Sequence, residues 1–215
     1  MAEAIRQAVP VVPDGTPARH DLVILAASAG GIPAIGTILA ALPASFPTPV
    51  AVLQHRSVSM PSMLPKLLAR RAMLSVKEAE AGERFVPGTV YIAPPSAHLV
   101  VRPDRRFQLD DGRRINFLRS AADPLIQSAA QSLDGRVIAV ILTGGGSNGT
   151  GGVRDVKARG GIVIAQDPAT ALHPGMPRAA IATGAVDYVL PLEEIGPMLV
   201  RLTTVEPNGG SPHEN

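Results

Sequence analysis

From Leu22 to Gln54 the chain carries no charged side chain. So long an uncharged stretch either crosses a bilayer or is buried inside a globular core. Gly30-Gly31, Pro33, Pro43, Pro47 and Pro49 decide between the two. They cut the stretch into strand, turn, helix, loop and strand, each too short to span, so no membrane insertion is expected. Leu22–Ala26 is predicted as a buried strand, a continuous apolar run with Asp21 just before it. Ala27-Ser28-Ala29-Gly30-Gly31 then turns. A helix is predicted over Ile32–Leu42, with Ile32, Ile35, Leu39 and Leu42 on one stripe and Pro33 in the first turn, where its missing N–H costs nothing. Val50–Leu53 reads as a second buried strand that ends at Gln54-His55-Arg56.

The same alternation continues. A helix is predicted over Pro61–Ala72, with Met63, Leu64, Leu67 and Leu68 inward and Lys66, Arg70 and Arg71 outward. Lys77–Pro87 is a loop or edge segment, Thr89–Ala93 a strand, and Leu99–Leu109 a hairpin turning at Pro103-Asp104. Asp110-Asp111-Gly112 is the next turn. Asp123–Leu133 is helical, with Pro124 expected at the first helical position. Val137–Leu142 is the strongest strand signal and runs into a glycine-rich loop. Gly152–Arg159, Pro177–Thr183 and Leu192–Leu202 follow as helices, with strands Gly161–Ala165 and Val186–Leu190 between them.

The composition fits this pattern: 46% of residues are hydrophobic but only 3% aromatic, with no Trp and no Cys. The core is then Ala, Val, Leu and Ile, as where helices pack on a parallel sheet. The expected fold is α/β: one doubly wound, mostly parallel sheet with helices on both faces and a small antiparallel hairpin. Residues 1–20 are expected to form a flexible leader, 21–202 one domain and 203–215 a disordered tail. The leader lacks the apolar segment of a secretory signal, so a cytoplasmic protein is expected. Without Cys there are no disulfides, thiol catalysis or thiolate metal sites. The net charge of +2 supplies no dense basic patch, so nucleic acid is not an expected partner.

In such sheets chemistry gathers at the carboxyl ends of the strands. The first strand delivers Ser28, between a strand end and a helix start. There a hydroxyl is lifted out of the sheet towards free backbone N–H groups. The commoner role for a serine so placed is a helix N-cap. The second strand delivers His55, the third is followed by His98, and a later one delivers Asp167 and His173. A serine, a histidine and an orienting group make a hydrolytic triad, but the residues alone do not choose among the three histidines. His20 and His213 fall in the ends and are poor candidates. The loop Gly144-Gly145-Gly146-Ser147-Asn148-Gly149 also satisfies G-x-G-x-x-G, the fingerprint of a dinucleotide site.

Separated motifs in a fixed order resemble one family. Val23–Gly31 resembles the serine turn of the CheB-type chemotaxis receptor methylesterases, and Val50–His55 their second strand. Leu142–Gly149 is similar to their Leu-Thr-Gly-Met-Gly-x-Asp-Gly loop. Ile162–Asp167, Gly175–Ala180 and Gly184–Leu190 are similar to their closing segments. The resemblance implies a cofactor-free, metal-free serine hydrolase. It would remove methyl esters from receptor glutamates, and in some members deamidate glutamines. Position by position it implies Ser28 as nucleophile and His55 as base. The N–H of Ala29 and those of the loop at Gly144, Gly145 and Gly146 would face the oxyanion. The implied partner is a methyl-accepting chemotaxis receptor, an acidic helical bundle that Arg56, Lys66, Arg70 and Arg71 could complement, with Met60 and Met63 as a rim or as core. The family's receiver domain, usually joined in front, has no counterpart in the leader, so control by phosphorylation within this chain is not expected.

Three positions depart from the family. Asn148 stands where its triad has aspartate, Gly145 where it has methionine, and Ala29 where it usually has threonine. The losses at Ala29 and Gly145 widen the expected pocket. Asn148 is expected to accept the histidine Nδ1–H through its amide oxygen, without the charge that stabilises an imidazolium. In a serine protease the equivalent change lowers kcat by roughly 10⁴. Three outcomes are open: a weak esterase, replacement of the charge by a carboxylate such as Asp123 or Asp167, or receptor binding without turnover. Asn148-Gly149 is also a deamidation-prone pair.

Overall fold

The computed structural model describes residues 20–55, 63–111 and 120–204. Nine strands and six helices lie along them, alternating except for the run of four strands between the second and third helices. The strands are β1 (Leu22–Ala27), β2 (Val50–Gln54), β3 (Ser75–Glu78), β4 (Thr89–Ile92), β5 (His98–Val101), β6 (Phe107–Asp110), β7 (Val137–Ile141), β8 (Ile162–Gln166) and β9 (Tyr188–Leu190). The helices are α1 (Gly31–Ala40), α2 (Leu64–Ala69), α3 (Ala122–Ser132), α4 (Thr150–Ala158), α5 (Gly175–Ala182) and α6 (Leu192–Thr203). Seven strands form one parallel sheet in the order β3-β4-β2-β1-β7-β8-β9, and β5 and β6 pair as an antiparallel hairpin.

β1 is buried along its whole length because both faces of the sheet are covered. Leu22, Ile24 and Ala26 face a core completed by α3, α4, α5 and the hairpin. Val23, Leu25 and Ala27 face a second core completed by α1, α2 and α6. This period-2 split across two apolar layers is why the strand reads as continuous hydrophobicity.

The order places a topological switch between β1 and β7. The chain leaves β1 through α1 on one face, and leaves β7 through α4 on the other. The two helices diverge to opposite faces, so the crevice where ligands bind in such sheets is expected at the carboxyl ends, beside the loops after β1 and β7. At the opposite end, the buried Asp21 carboxylate accepts from Arg105 at 2.8 Å and Arg136 at 2.7 Å. This ties the hairpin turn and the start of β7 to β1.

Several elements differ from the sequence expectation. The edge strand Ser75–Glu78 begins two residues before Lys77–Pro87, the segment expected as a loop or edge. The hairpin strands begin at His98 and end at Asp110. Helix α2 is only six residues long, and Pro61 and Ser62 lie outside the described residues, as do Arg56, Met60 and Gly112. Pro124 is the third residue of α3, not the first, because the helix starts at Ala122. His20 is buried beside β1.

Candidate active site

The register of β1 and β2 pairs Ala27 with Gln54, so Ser28 and His55 leave the sheet as neighbours. The His55 N–H donates to the Ala27 carbonyl at 3.3 Å and fixes that adjacency. The Ser28 backbone is held on all sides. Its N–H donates to the Thr143 carbonyl at 3.0 Å, and its carbonyl accepts from the Gly31 N–H at 2.9 Å and Gln54 Nε2 at 2.8 Å. The hydroxyl is half-buried and makes no hydrogen bond among the described residues. It is not an N-cap. The residue before α1 is Gly30 at φ 76°, and no side chain caps that helix. The left-handed conformation at that position calls for glycine.

Asn148 sits at the end of the glycine loop and is 7% exposed. Its Oδ1 accepts the Ala122 N–H at 3.0 Å, and its Nδ2 lies 2.7 Å from His55 Nε2. The Ala122 contact fixes the amide. Turning it over would set an NH2 against an N–H. This corrects the expectation for Asn148. Its oxygen is taken by the backbone of α3, and its NH2 donates to His55 Nε2; Nδ1 takes no part in the contact. The neutral ring therefore carries its proton on Nδ1. Burial lowers the His55 pKa, with no carboxylate opposing the shift.

The loop after β7 lies against the serine. A Cβ on Gly144 would fall 2.9 Å from Ser28 Cβ and 2.3 Å from Met176 Sδ, so only glycine fits there. The Gly144 N–H donates to the His173 carbonyl at 2.8 Å and is unavailable to substrate. The N–H groups of Ala29, Gly145 and Gly146 have no partner among the described residues, and all three residues border solvent. A side chain at Gly145 would meet nothing within 4 Å, so that side of the crevice is open.

The dinucleotide reading of this loop fails on its donors. A pyrophosphate needs the free N–H groups at the start of the following helix. Here the Asp123 carboxylate takes those of Gly149 at 3.0 Å and Gly152 at 2.9 Å. Asp123 is thereby committed to α4, and Asp167 to the Ala169 N–H at 2.8 Å. Neither carboxylate hydrogen-bonds the imidazole, so of the three open outcomes, replacement of the charge by Asp123 or Asp167 is not what the fold shows.

Of the other histidines, His98 is buried and its Nδ1 accepts the Ala121 N–H at 3.1 Å, a structural tie to α3. His173 is exposed on the loop before α5. Its backbone N–H donates to Thr143 Oγ1 at 2.8 Å. Beyond the serine, the amino end of α1 and helix α2 enclose a cavity of about 150 Å³ lined by Ile32, Pro33, Leu67, Leu68 and Arg71. Met63, before α2, is 64% exposed and so is not part of the core. Lys66, Arg70 and Arg71 are exposed and make no ion pair among the described residues.

Sequence reasoning missed the layer beneath the site. Buried Thr143 gives its hydroxyl proton to the Ala29 carbonyl at 3.0 Å, and its N–H goes to Gln166 Oε1 at 2.9 Å. Gln54 supports Ser28 in the same way from β2. The available signal was a glutamine ending each of two otherwise apolar buried strands. A buried amide needs partners, and the neighbouring turns are where they lie.

The family model for CheB methylesterase matches residues 23–199. A Leptospira interrogans protein is 39% identical over 183 residues, covering 85% of this chain and 95% of its own length. Its name, given provisionally, is protein-glutamate methylesterase/protein-glutamine glutaminase. The protein-glutamate methylesterase FrzG of Myxococcus xanthus is 42% identical over 203 residues, covering 94% of this chain and 59% of that protein. The crystal structure of the Thermotoga maritima CheB methylesterase catalytic domain superposes with a TM-score of 0.82 at 40% identity, covering 85% of this chain and 98% of that one.

Proposed function

Because the chain belongs to the CheB methylesterase family, we propose that it hydrolyses γ-methyl esters of glutamate side chains on a chemotaxis receptor, with Ser28 as nucleophile and His55 as base. The observation that carries this reading is Ser28 on a hydrogen-bonded turn beside His55, with Asn148 Nδ2 against His55 Nε2. In the proposed reaction Ser28 Oγ attacks the ester carbonyl and His55 takes its proton. The oxyanion lies against the N–H groups of Ala29 and of Gly145 or Gly146. His55 then protonates methanol as it leaves, and water clears the acyl-enzyme.

Asn148 sets the rate of this cycle. Its NH2 occupies the Nε2 lone pair and leaves the proton of the neutral ring on Nδ1, so neither nitrogen offers a free lone pair to the serine. The ring must change tautomer before it can act, and the imidazolium then forms without a compensating charge. An aspartate in the same pose accepts at both ends, from Ala122 N–H and from Nε2–H, and corrects both faults. Asn148→Asp should therefore raise turnover of a methyl ester at least tenfold. A serine-reactive phosphonate provides the direct test, with labelling expected at Ser28 and abolished in Ser28→Ala. No labelling in either the native protein or the Asn148→Asp variant would overturn the hydrolase reading. A receptor-binding domain without turnover would then remain, a reading that rests on the same NH2-to-imidazole contact.

The α1–α2 cavity, lined by Arg71, and the exposed Lys66 and Arg70 of α2 and its end support an acidic helical partner. An apolar side chain of that helix would enter between Ile32 and Leu67, and its glutamates would face Lys66, Arg70 and Arg71.

A further inference from the structure

Residue 148 is surrounded by the groups that would change it chemically. Gly149 follows it and brings no Cβ to obstruct its backbone nitrogen. The Gly149 N–H is hydrogen-bonded to Asp123 Oδ2 at 3.0 Å, a carboxylate placed to draw off its proton. Asn148 Oδ1 accepts the Ala122 N–H at 3.0 Å at the amino end of α3, where partial positive charge stabilises a developing oxyanion. The Nδ2 group faces an imidazole, not an acceptor carboxylate.

We propose that Asn148 is a self-deamidation site and that its conversion to aspartate completes the triad. The Gly149 nitrogen attacks Asn148 Cγ. The N–Cγ bond forms, the Cγ–Nδ2 bond breaks, and ammonia leaves with the two Nδ2 hydrogens and, in net, the proton lost by Gly149. Water then adds to Cγ of the cyclic imide and restores the Gly149 N–H, giving aspartate. Addition at the other carbonyl gives isoaspartate. The α-linked product fits the existing site without movement. One oxygen keeps the Ala122 N–H, and the other accepts from His55 Nε2–H. The functional consequence rests on the hydrolase reading above, but the chemistry does not.

The chain contains its own reference, because Asn208-Gly209 is the same dipeptide. Purified full-length protein is held at pH 8 and 37 °C, the two peptides are followed by mass spectrometry, and aspartate is separated from isoaspartate. Asn148 is expected to convert several-fold faster than Asn208. Asp123→Asn should slow conversion at 148 alone. Ser28→Ala should leave it unchanged, which excludes attack by a second molecule's serine. Asn148→Gln should remain an amide, because its longer side chain does not close the five-membered ring. An intact amide at 148 after Asn208 has converted overturns the proposal, and this comparison within the native chain holds even if Asp123→Asn folds poorly. Esterase activity is read in the same samples. Conversion without any gain in Ser28-dependent hydrolysis would leave deamidation standing and refute the hydrolase reading.

Discussion

At the scale of single residues, the site turns on which hydrogen each polar atom holds. Burial without a carboxylate neighbour depresses the His55 pKa, so the ring stays neutral to lower pH than a free imidazole. The acid limb of a pH–rate profile should lie below about pH 6.5. In Asn148→Asp the new charge favours the imidazolium, so that limb should move to higher pH as the maximal rate rises. A limb that stays in place would mean that residue 148 does not act through His55. His20 is also depressed, chiefly by burial. For both groups the unfolded chain binds protons more readily, so stability is full above about pH 6.5 and declines as pH falls through that value. Thermal melts between about pH 7 and pH 5 should show falling Tm, with a shallower slope in His20→Asn.

At the scale of elements, the loops after β1 and β7 are packed too closely to tolerate one added carbon. Gly144→Ala would drive a methyl into buried Met176 and towards Ser28. The expected cost is about 1–3 kcal/mol, with loss of phosphonate labelling because the serine turn moves. A variant that labels at the native rate would show that the loop yields without disturbing Ser28. Asp21 lies at the other end of β1, about 20 Å away along a six-residue strand. Asp21→Ala leaves two half-exposed arginines without their buried acceptor. It should lower stability by about 1–3 kcal/mol in chemical denaturation while the labelling rate at Ser28 holds.

At the scale of the molecule, no helix among the described residues is long and apolar enough to cross a membrane. The reading proposed here brings the substrate to the crevice as a helix of another protein. Arg70→Glu with Arg71→Glu should raise KM for an acidic helical substrate several-fold while kcat holds. The loss should shrink as salt screens the unpaired cations. An unchanged KM at low salt would place the partner on a different face.

The alternation of strand and helix was legible because its signals are local. Apolar runs, glycine pairs and prolines act on their own neighbourhood, so Ser28 could be placed on its turn before any tertiary contact was known. The short edge strand Ser75–Glu78 was not legible, since it exists only by pairing with β4. Which atoms join Asn148 to His55 was not legible for a related reason. Both faces of its amide are set by groups far off in the chain, Ala122 of α3 and His55 beyond β2. Asp123 likewise looked like a candidate charge for the imidazole and is bound instead to the start of α4. The order of amino acids determined which residues reach the crevice. Only the folded chain decided which hydrogen-bond partner each one takes, because a donor or acceptor chooses among all the groups that packing brings within reach.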